Sequence, residues 1–311
     1  MDIAALKAFL AVADTGSFSL AAEQLFLTQP AVSKRVSALE TGLQTRLFDR
    51  IGRTVTLTEA GQTLLPRART ILLEVEDSVR SLSNLSGEVH GTLRFGTSHH
   101  IGLHRLPPAL KQFVRQYPQV RLDIRFMDSE EACHAVETGE LELAIVTLPP
   151  SPAAVLRVEK VWDDPLAIVV SNEHPLAGLA RPRLDDLAAH PAILPAANTF
   201  TRQIAEQVFA ALNLELDVAL SINYLETIKM LISVGIGWGL LPATMLDNQT
   251  RALPIRELAL QRALGTVYHC DRTLSNAART LVEMLVGSEA PKAGRQADAA
   301  VAAQKAGEPP A

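Results

Sequence analysis

The sequence predicts an α + α/β protein: an N-terminal winged helix-turn-helix, a long linker helix, and two α/β units after it. Three features carry that prediction. Two short helical segments meet at a three-residue corner, Phe26-Leu27-Thr28. A hairpin-like alternation and a long heptad stripe follow. Beyond Gly87, strand-like runs alternate with helical ones, the pattern of a largely parallel sheet.

Ile3, Leu6, Leu10 and Ala13 recur at helical spacing and predict a first helix that ends near Gly16. Ser19 is expected to cap a second helix, Leu20 to Leu25. Thr28 is expected to cap a third, with Pro30 in its first turn, where a missing N–H is tolerated. Val32, Val36 and Leu39 repeat on one face, so Gln29, Ser33, Lys34 and Ser37 project elsewhere. Two helices joined by so short a turn cross steeply, the arrangement that lays a second helix in the DNA major groove. Gln29 suits adenine edges, Lys34 and Arg35 suit guanine or phosphate, and Ser33 suits either. A plain helical hairpin with a solvated face is the alternative.

The run Arg46–Gly61 alternates like a β-hairpin with Gly52-Arg53 at its tip, a wing that would bring Arg50 and Arg53 to the DNA backbone or minor groove. Residues 28–69 hold seven basic and three acidic side chains, a local +4 in a chain of net charge −5. Such a local patch is what phosphate binding needs. Thr58 is expected to cap a long helix in which Leu65, Ala68, Leu72, Val75, Val79 and Leu82 form a heptad seam. Left alone, that seam is an uncovered apolar stripe, so pairing with a second copy is the expected use, and a dimer suits paired DNA half-sites.

Composition limits the classes of function. Of 311 residues, 48% are hydrophobic and 20% charged, ordinary for a globular protein of two or three domains. Cys133 and Cys270 are too few for a disulfide framework and suit a reducing cytoplasm. They read as small buried hydrophobes, with a redox pair as the alternative. The uncharged run Ala8–Ala13 is short for a signal sequence, and the 17 residues between Lys229 and Asp247 contain three glycines and a proline, so neither export nor a membrane span is expected. No Gly-x-Ser-x-Gly elbow, phosphate loop or His-Glu-x-x-His run occurs, so no enzyme and no cofactor are expected.

After Gly87, strands are read at 92–98, 120–129 and 141–150, then a second series from Pro165 through the helices Phe200–Leu212 and Tyr224–Val234. The division between the two units is placed near Val161–Leu166 with a return near Leu264, followed by a last helix Ser275–Val286. The expected boundaries are 1–58 for the winged domain, 59–88 for the linker helix and 89–287 for the α/β region. Its first lobe takes 89–162 and 265–287, its second 163–264. The Ala- and Gly-rich stretch 288–311 is expected to be disordered.

In open α/β sheets, ligands sit at the carboxyl ends of strands. Thr97, Ser98, Ser129 and Thr147 follow strands in the first unit, and Asn198, Thr199 and Thr201 open a helix in the second. Read singly, each is a helix cap; read as a set, they line a cleft for a small anionic or polar molecule. His99 and His100 could help to bind an anion. His100 and His104 stand four apart, but no Cys or acidic residue nearby in sequence completes a metal set, so no metal is expected.

The stretch Gly16–Gly61 resembles the DNA-binding domain of the LysR-type transcriptional regulators. It carries their small-Phe-x-x-Ala-Ala turn, Thr-Gln-Pro-Ala-x-Ser, Leu-Glu, Leu-Phe-x-Arg and Leu-Thr-x-Ala-Gly in unbroken order. The run VGIGWGLLP is similar to one common in the second lobe of that family. The resemblance implies that Gln29, Pro30, Ser33 and Lys34 face the groove of double-stranded promoter DNA with Arg53 in the wing, and the residue reading adds Thr28 and Arg50 to the DNA contact. The resemblance also implies a periplasmic-binding-protein-like C-terminal half with Thr97, Ser98, Ser129, Thr147 and Thr201 around an effector, and the residue reading adds His100 and Thr199 to that set. The resemblance further implies a dimer of dimers whose DNA placement, and contact with RNA polymerase, respond to that effector. The competing class is a cytoplasmic solute-binding protein or enzyme with a helical N-terminus, which predicts no affinity for DNA.

Overall fold

The computed structural model describes residues 2–51, 54–255 and 260–287. The chain forms two compact units, Met1–Ser86 and Gly87–Ala311.

In the first unit, α1 (Ile3–Thr15) starts at Asp2, whose carboxylate accepts from Ala5 N, and ends at Gly16 in the left-handed region at φ 63°. The second helix, α2 (Phe18–Gln24), begins two residues earlier than the sequence suggests. Ser17, not Ser19, caps it by accepting from Leu20 N, which lets Phe18 enter the core. At the corner, Phe26 adopts φ 55° and is 96% exposed. The third helix, α3 (Gln29–Leu43), buries Val32, Val36 and Leu39. Thr28 occupies the cap position without a side-chain cap bond.

The strands β1 (Phe48–Ile51) and β2 (Thr54–Leu57) pair antiparallel as the wing. Phe48 lies 5.4 Å from the Phe9 ring and 5.8 Å from the Phe18 ring, which anchors the hairpin in the helical core. Glu40 ties α3 to the same strand by accepting from Leu47 N and Phe48 N. Thr58 caps α4 (Glu59–Asn84) by accepting from Gly61 N. A Cβ at Gly61 would stand 2.2 Å from Leu47 O, so only glycine lets α4 pass this close to the wing. Along α4 the heptad seam divides. Leu65, Ala68 and Leu72 pack on the core of the unit, whereas Val79 and Leu82 are 63% and 69% exposed.

The second unit runs β3 (Gly91–Thr97), α5 (His99–His104), α6 (Pro107–Gln116), β4 (Val120–Phe126), α7 (Ser129–Glu137), β5 (Leu143–Thr147), β6 (Leu156–Ser171), α8 (Leu184–Ala188), β7 (Ala192–Leu194), α9 (Phe200–Ala211), β8 (Val218–Ser221), α10 (Leu225–Ser233), β9 (Trp238–Pro242), β10 (Thr250–Ala252), β11 (Gln261–His269) and α11 (Asn276–Gly287). Its nine strands follow the order β4-β3-β5-β11-β6-β9-β7-β8, with β10 on β6. Parallel pairing joins β4, β3 and β5 in one lobe, and β8, β7 and β9 in the other.

The antiparallel strands β6 and β11 belong to both lobes and cross between them. The sequence reading divided β6 at its centre; the strand instead continues for 16 residues through the charged stretch around Asp163 and Asp164. Each lobe has its own apolar core. Leu93, Phe95, Leu143, Ile145 and Leu281 centre the first, and Ile168, Leu194, Phe209, Trp238 and Leu240 the second. Phe209 and Trp238 stack at 5.7 Å. No single helix among the described residues is long and apolar enough to cross a membrane.

Candidate DNA-reading face and inter-lobe cavity

Polar side chains gather in two places. In the first unit, the face of α3 opposite Val32, Val36 and Leu39 presents Thr28, Gln29, Pro30 and Lys34 as exposed residues, with Ser33 half-buried beside them. The helix period that buries the valines turns these residues outward. Arg53 lies outside the described residues, as does the side chain of Arg50. The tail 288–311, expected to be disordered, lies outside them too.

In the second unit, a cavity opens where β3, β5, α7 and α9 converge on the crossing strand β11. The cavity has a volume of about 50 Å³, room for a few waters or one small anion. Ser98, His100, Ser129, Thr147, Thr199 and Thr201 line it, so six of the seven side chains expected there from sequence are brought together.

Thr97 is the correction. It is fully buried and donates to Ile145 O at 2.7 Å, stitching β3 to β5 inside the sheet rather than lining the cavity. Two others line the cavity with prior commitments. Ser129 Oγ accepts from Thr147 N at 3.1 Å. Thr199 caps α9, accepting from Arg202 N at 3.2 Å and donating to Ala196 O at 2.8 Å.

Sequence reasoning missed the charged members. Asp164 has no exposure and sits between two guanidinium groups, Arg105 Nη2 at 2.9 Å and Arg262 Nε at 2.7 Å. Arg262 and Asp164 face each other directly across the β6–β11 ladder, so the pair follows from the register once that register is known. Arg262 also donates through Nη1 to Thr201 Oγ1 at 3.0 Å, and its Nη2 is buried with no partner. Beside it, both ring nitrogens of buried His100 lack partners. Burial, reinforced by the Arg262 charge, pushes this imidazole down to about 4, so it is neutral near pH 7.

Two carboxylates, Asp128 and Glu130, also line the cavity and are already engaged by the second lobe. Asn223 Nδ2 donates to Asp128 at 2.5 Å, and Phe200 N donates to Glu130 at 2.5 Å. Burial raises the pKa of Glu130. The cavity therefore keeps a buried cationic donor, Arg262 Nη2, that has no acceptor. A ligand with acceptor oxygens, above all an anion, satisfies what remains.

Cys133 is buried, and burial pushes its thiol up to about 12. Cys270, read from sequence as a buried hydrophobe, is instead exposed just past the end of β11. The pair His100 and His104 gains from α10 the acidic neighbour that the local sequence lacks. Glu226 Oε1 lies 3.1 Å from His104 Nε2.

A winged helix-turn-helix followed by a two-lobed α/β domain with a cavity between its lobes is the architecture of a DNA-binding regulator that carries a separate small-molecule-binding domain. Residues 3–62 match the family of bacterial regulatory helix-turn-helix proteins of lysR type, and residues 86–289 match the LysR substrate binding domain. The chain belongs to the LysR family of DNA-binding transcriptional regulators.

An HTH-type transcriptional regulator of Azotobacter vinelandii, from the ibpB-leuC intergenic region, is 68% identical over 108 residues, 35% of this chain and 75% of that one. The transcriptional activator CmpR of a Synechocystis strain is 28% identical over 284 residues, 90% of this chain and 93% of that one. Among solved structures, full-length CbnR in complex with its target DNA is similar with a TM-score of 0.62 and 20% identity, over 93% of this chain and 100% of that one.

Proposed function

We propose that this regulator reads promoter DNA with the N-terminal face of α3 and is controlled by a small anion held between its lobes. Gln29, Ser33 and Lys34 reach base edges and phosphate, Thr28 and Pro30 set the helix start against the backbone, and Arg50 and Arg53 of the wing complete the contact. That CbnR binds its target DNA through a similar fold supports this reading. The single observation that carries the ligand class is the buried Arg262, whose Nη2 has no acceptor while Asp128 and Glu130 are already bonded.

In this reading the anion bonds Arg262, with Ser98, His100 and Thr201 around it and Ser129, Thr147 and Thr199 shaping the wall. Residues of both lobes then hold one ligand, so its arrival biases the lobe arrangement. The exposed half of the α4 seam, Val79 and Leu82, supports pairing of two chains. Two such pairs would form a dimer of dimers on adjacent half-sites in the cytoplasm, and ligand-dependent placement of the pairs would alter contact with RNA polymerase.

A thermal-shift series with sulfate, phosphate and short mono- and dicarboxylates tests the ligand assignment, because a molecule that binds only the folded form raises Tm by mass action. At least one of these anions is expected to stabilise the wild type and to lose that effect in Arg262→Met, where Asp164 keeps Arg105 as partner. Equal stabilisation of both proteins would refute the assignment.

A further inference from the structure

We infer that His100, His104 and Glu226 form a divalent-cation site, matched best to Zn²⁺, that bridges the two lobes at the edge of the cavity. One ligand atom from each residue lies within 4.8 Å of the others. The two histidines come from α5 of the first lobe, four residues apart and therefore one above the other on the same helix face. Their ring centroids are 4.9 Å apart. Glu226 comes from the first turn of α10 in the second lobe.

The separations suit a metal. Zinc bonds of about 2.0–2.1 Å at tetrahedral angles place neighbouring donor atoms about 3.3 Å apart. His104 Nε2 and Glu226 Oε1 already stand at 3.1 Å, and a ring nitrogen of His100 lies within 4.8 Å of both. Two imidazoles and one carboxylate with a fourth position left for water is a recurrent zinc donor set, whereas Mg²⁺ and Ca²⁺ prefer oxygen donors.

A plain His104–Glu226 ion pair accounts for two of these residues but not for the third. His100 is 4% exposed, and both of its ring nitrogens are buried without a hydrogen-bond partner. Burying a polar group unbonded is unfavourable, and a bound cation at this place satisfies one nitrogen outright. Each neighbouring cation has a carboxylate partner: Arg262, the one whose charge acts most on His100, is bonded to Asp164 at 2.7 Å. Arg105 is paired with Asp164, and Lys229 is paired with Asp247 at 2.7 Å. Because the three ligands come from both lobes, the metal would clasp the lobes together, a second ligand site that adjoins the anion contact at Arg262 and shares His100 with its wall.

The test uses the untagged full-length chain, stripped with a chelator and titrated with ZnSO₄ by calorimetry. One equivalent of Zn²⁺ is expected to bind, with affinity at least tenfold weaker in His104→Ala and in Glu226→Gln. Both positions are half-exposed, so the variants are expected to fold. Co²⁺ should report the same site with a tetrahedral visible spectrum that is lost in either variant. The other group of metal-binding side chains, His269, Cys270 and Asp271, supplies the control. The double variant His269→Ala/Cys270→Ser should bind as the wild type does, and Arg262→Met should lose the anion while keeping the metal. Absence of stoichiometric Zn²⁺ binding, or loss of binding in the His269/Cys270 variant with retention in His104→Ala, would overturn the assignment.

Discussion

The two units handle their polar side chains in opposite ways. In the first, Thr28, Gln29, Pro30 and Lys34 stand exposed along one short stretch, held in place by valines and a leucine on the other side of the same helix. In the second, the groups that matter are buried, come from segments as distant as Arg105 and Arg262, and are bonded to one another before any ligand arrives. A surface that reads DNA follows from helical periodicity and a tight corner. A cavity that holds a small molecule follows from sheet topology, and its chemistry is decided by which polar atoms the topology leaves unsatisfied.

The largest expected effect sharpens that contrast. Asp164→Ala leaves Arg105 and Arg262 buried without a counter-charge, a loss of about 3–5 kcal/mol in the stability of the second unit. Chemical denaturation followed by Trp fluorescence reads it there, since Trp162 and Trp238 both lie in that unit. No such loss is expected for a substitution on the exposed face of α3. Lys34→Ala should leave the unfolding curve in place, while the dependence of DNA affinity on salt loses about 0.9 of a unit in its log–log slope. A slope that does not change would remove Lys34 from the DNA contact.

Smaller effects separate lining from support. Thr97→Val removes the bond to Ile145 O and is expected to cost about 1 kcal/mol, with the affinity for a stabilising anion unchanged. A large loss of anion affinity would return Thr97 to the site. The two thiols give the smallest and cleanest test. In the native protein a disulfide-exchange reagent at pH 8 should titrate Cys270 alone. Cys133, buried with its thiol pushed up to about 12, should react only after unfolding. Two fast thiols in the native state would contradict that burial.

These differences also explain what was legible in the sequence. The corner, the wing and the capping of α4 by Thr58 are local, and so is Gly61, whose neighbour Leu47 lies within the same run Arg46–Gly61. The second cap was misplaced from Ser17 to Ser19 because both hydroxyls stand before a helical run, and only the burial of Phe18 decides between them. Six hydroxyl and imidazole residues of the cavity were legible because strand ends and helix starts mark them. Thr97 looked the same, but its buried hydroxyl is taken up by Ile145 O.

Arg262, Asp164 and Glu226 were not legible. Arg262 and Asp164 are opposite each other only through the β6–β11 register, and β6 itself is masked in sequence by Lys160, Asp163, Asp164 and Pro165. Glu226 reaches His104 across 122 positions of chain.

The most direct test joins the two units in one assay. A duplex enriched from random DNA by the wild-type protein is labelled, and its binding is followed by fluorescence anisotropy with and without the anion that most stabilises the protein. The account predicts that the anion changes the affinity for that duplex in the wild type. It predicts no such change in Arg262→Met, which binds the duplex equally well without the anion. An anion response that survives in Arg262→Met would contradict it, and so would a loss of DNA binding by that variant in the absence of any anion.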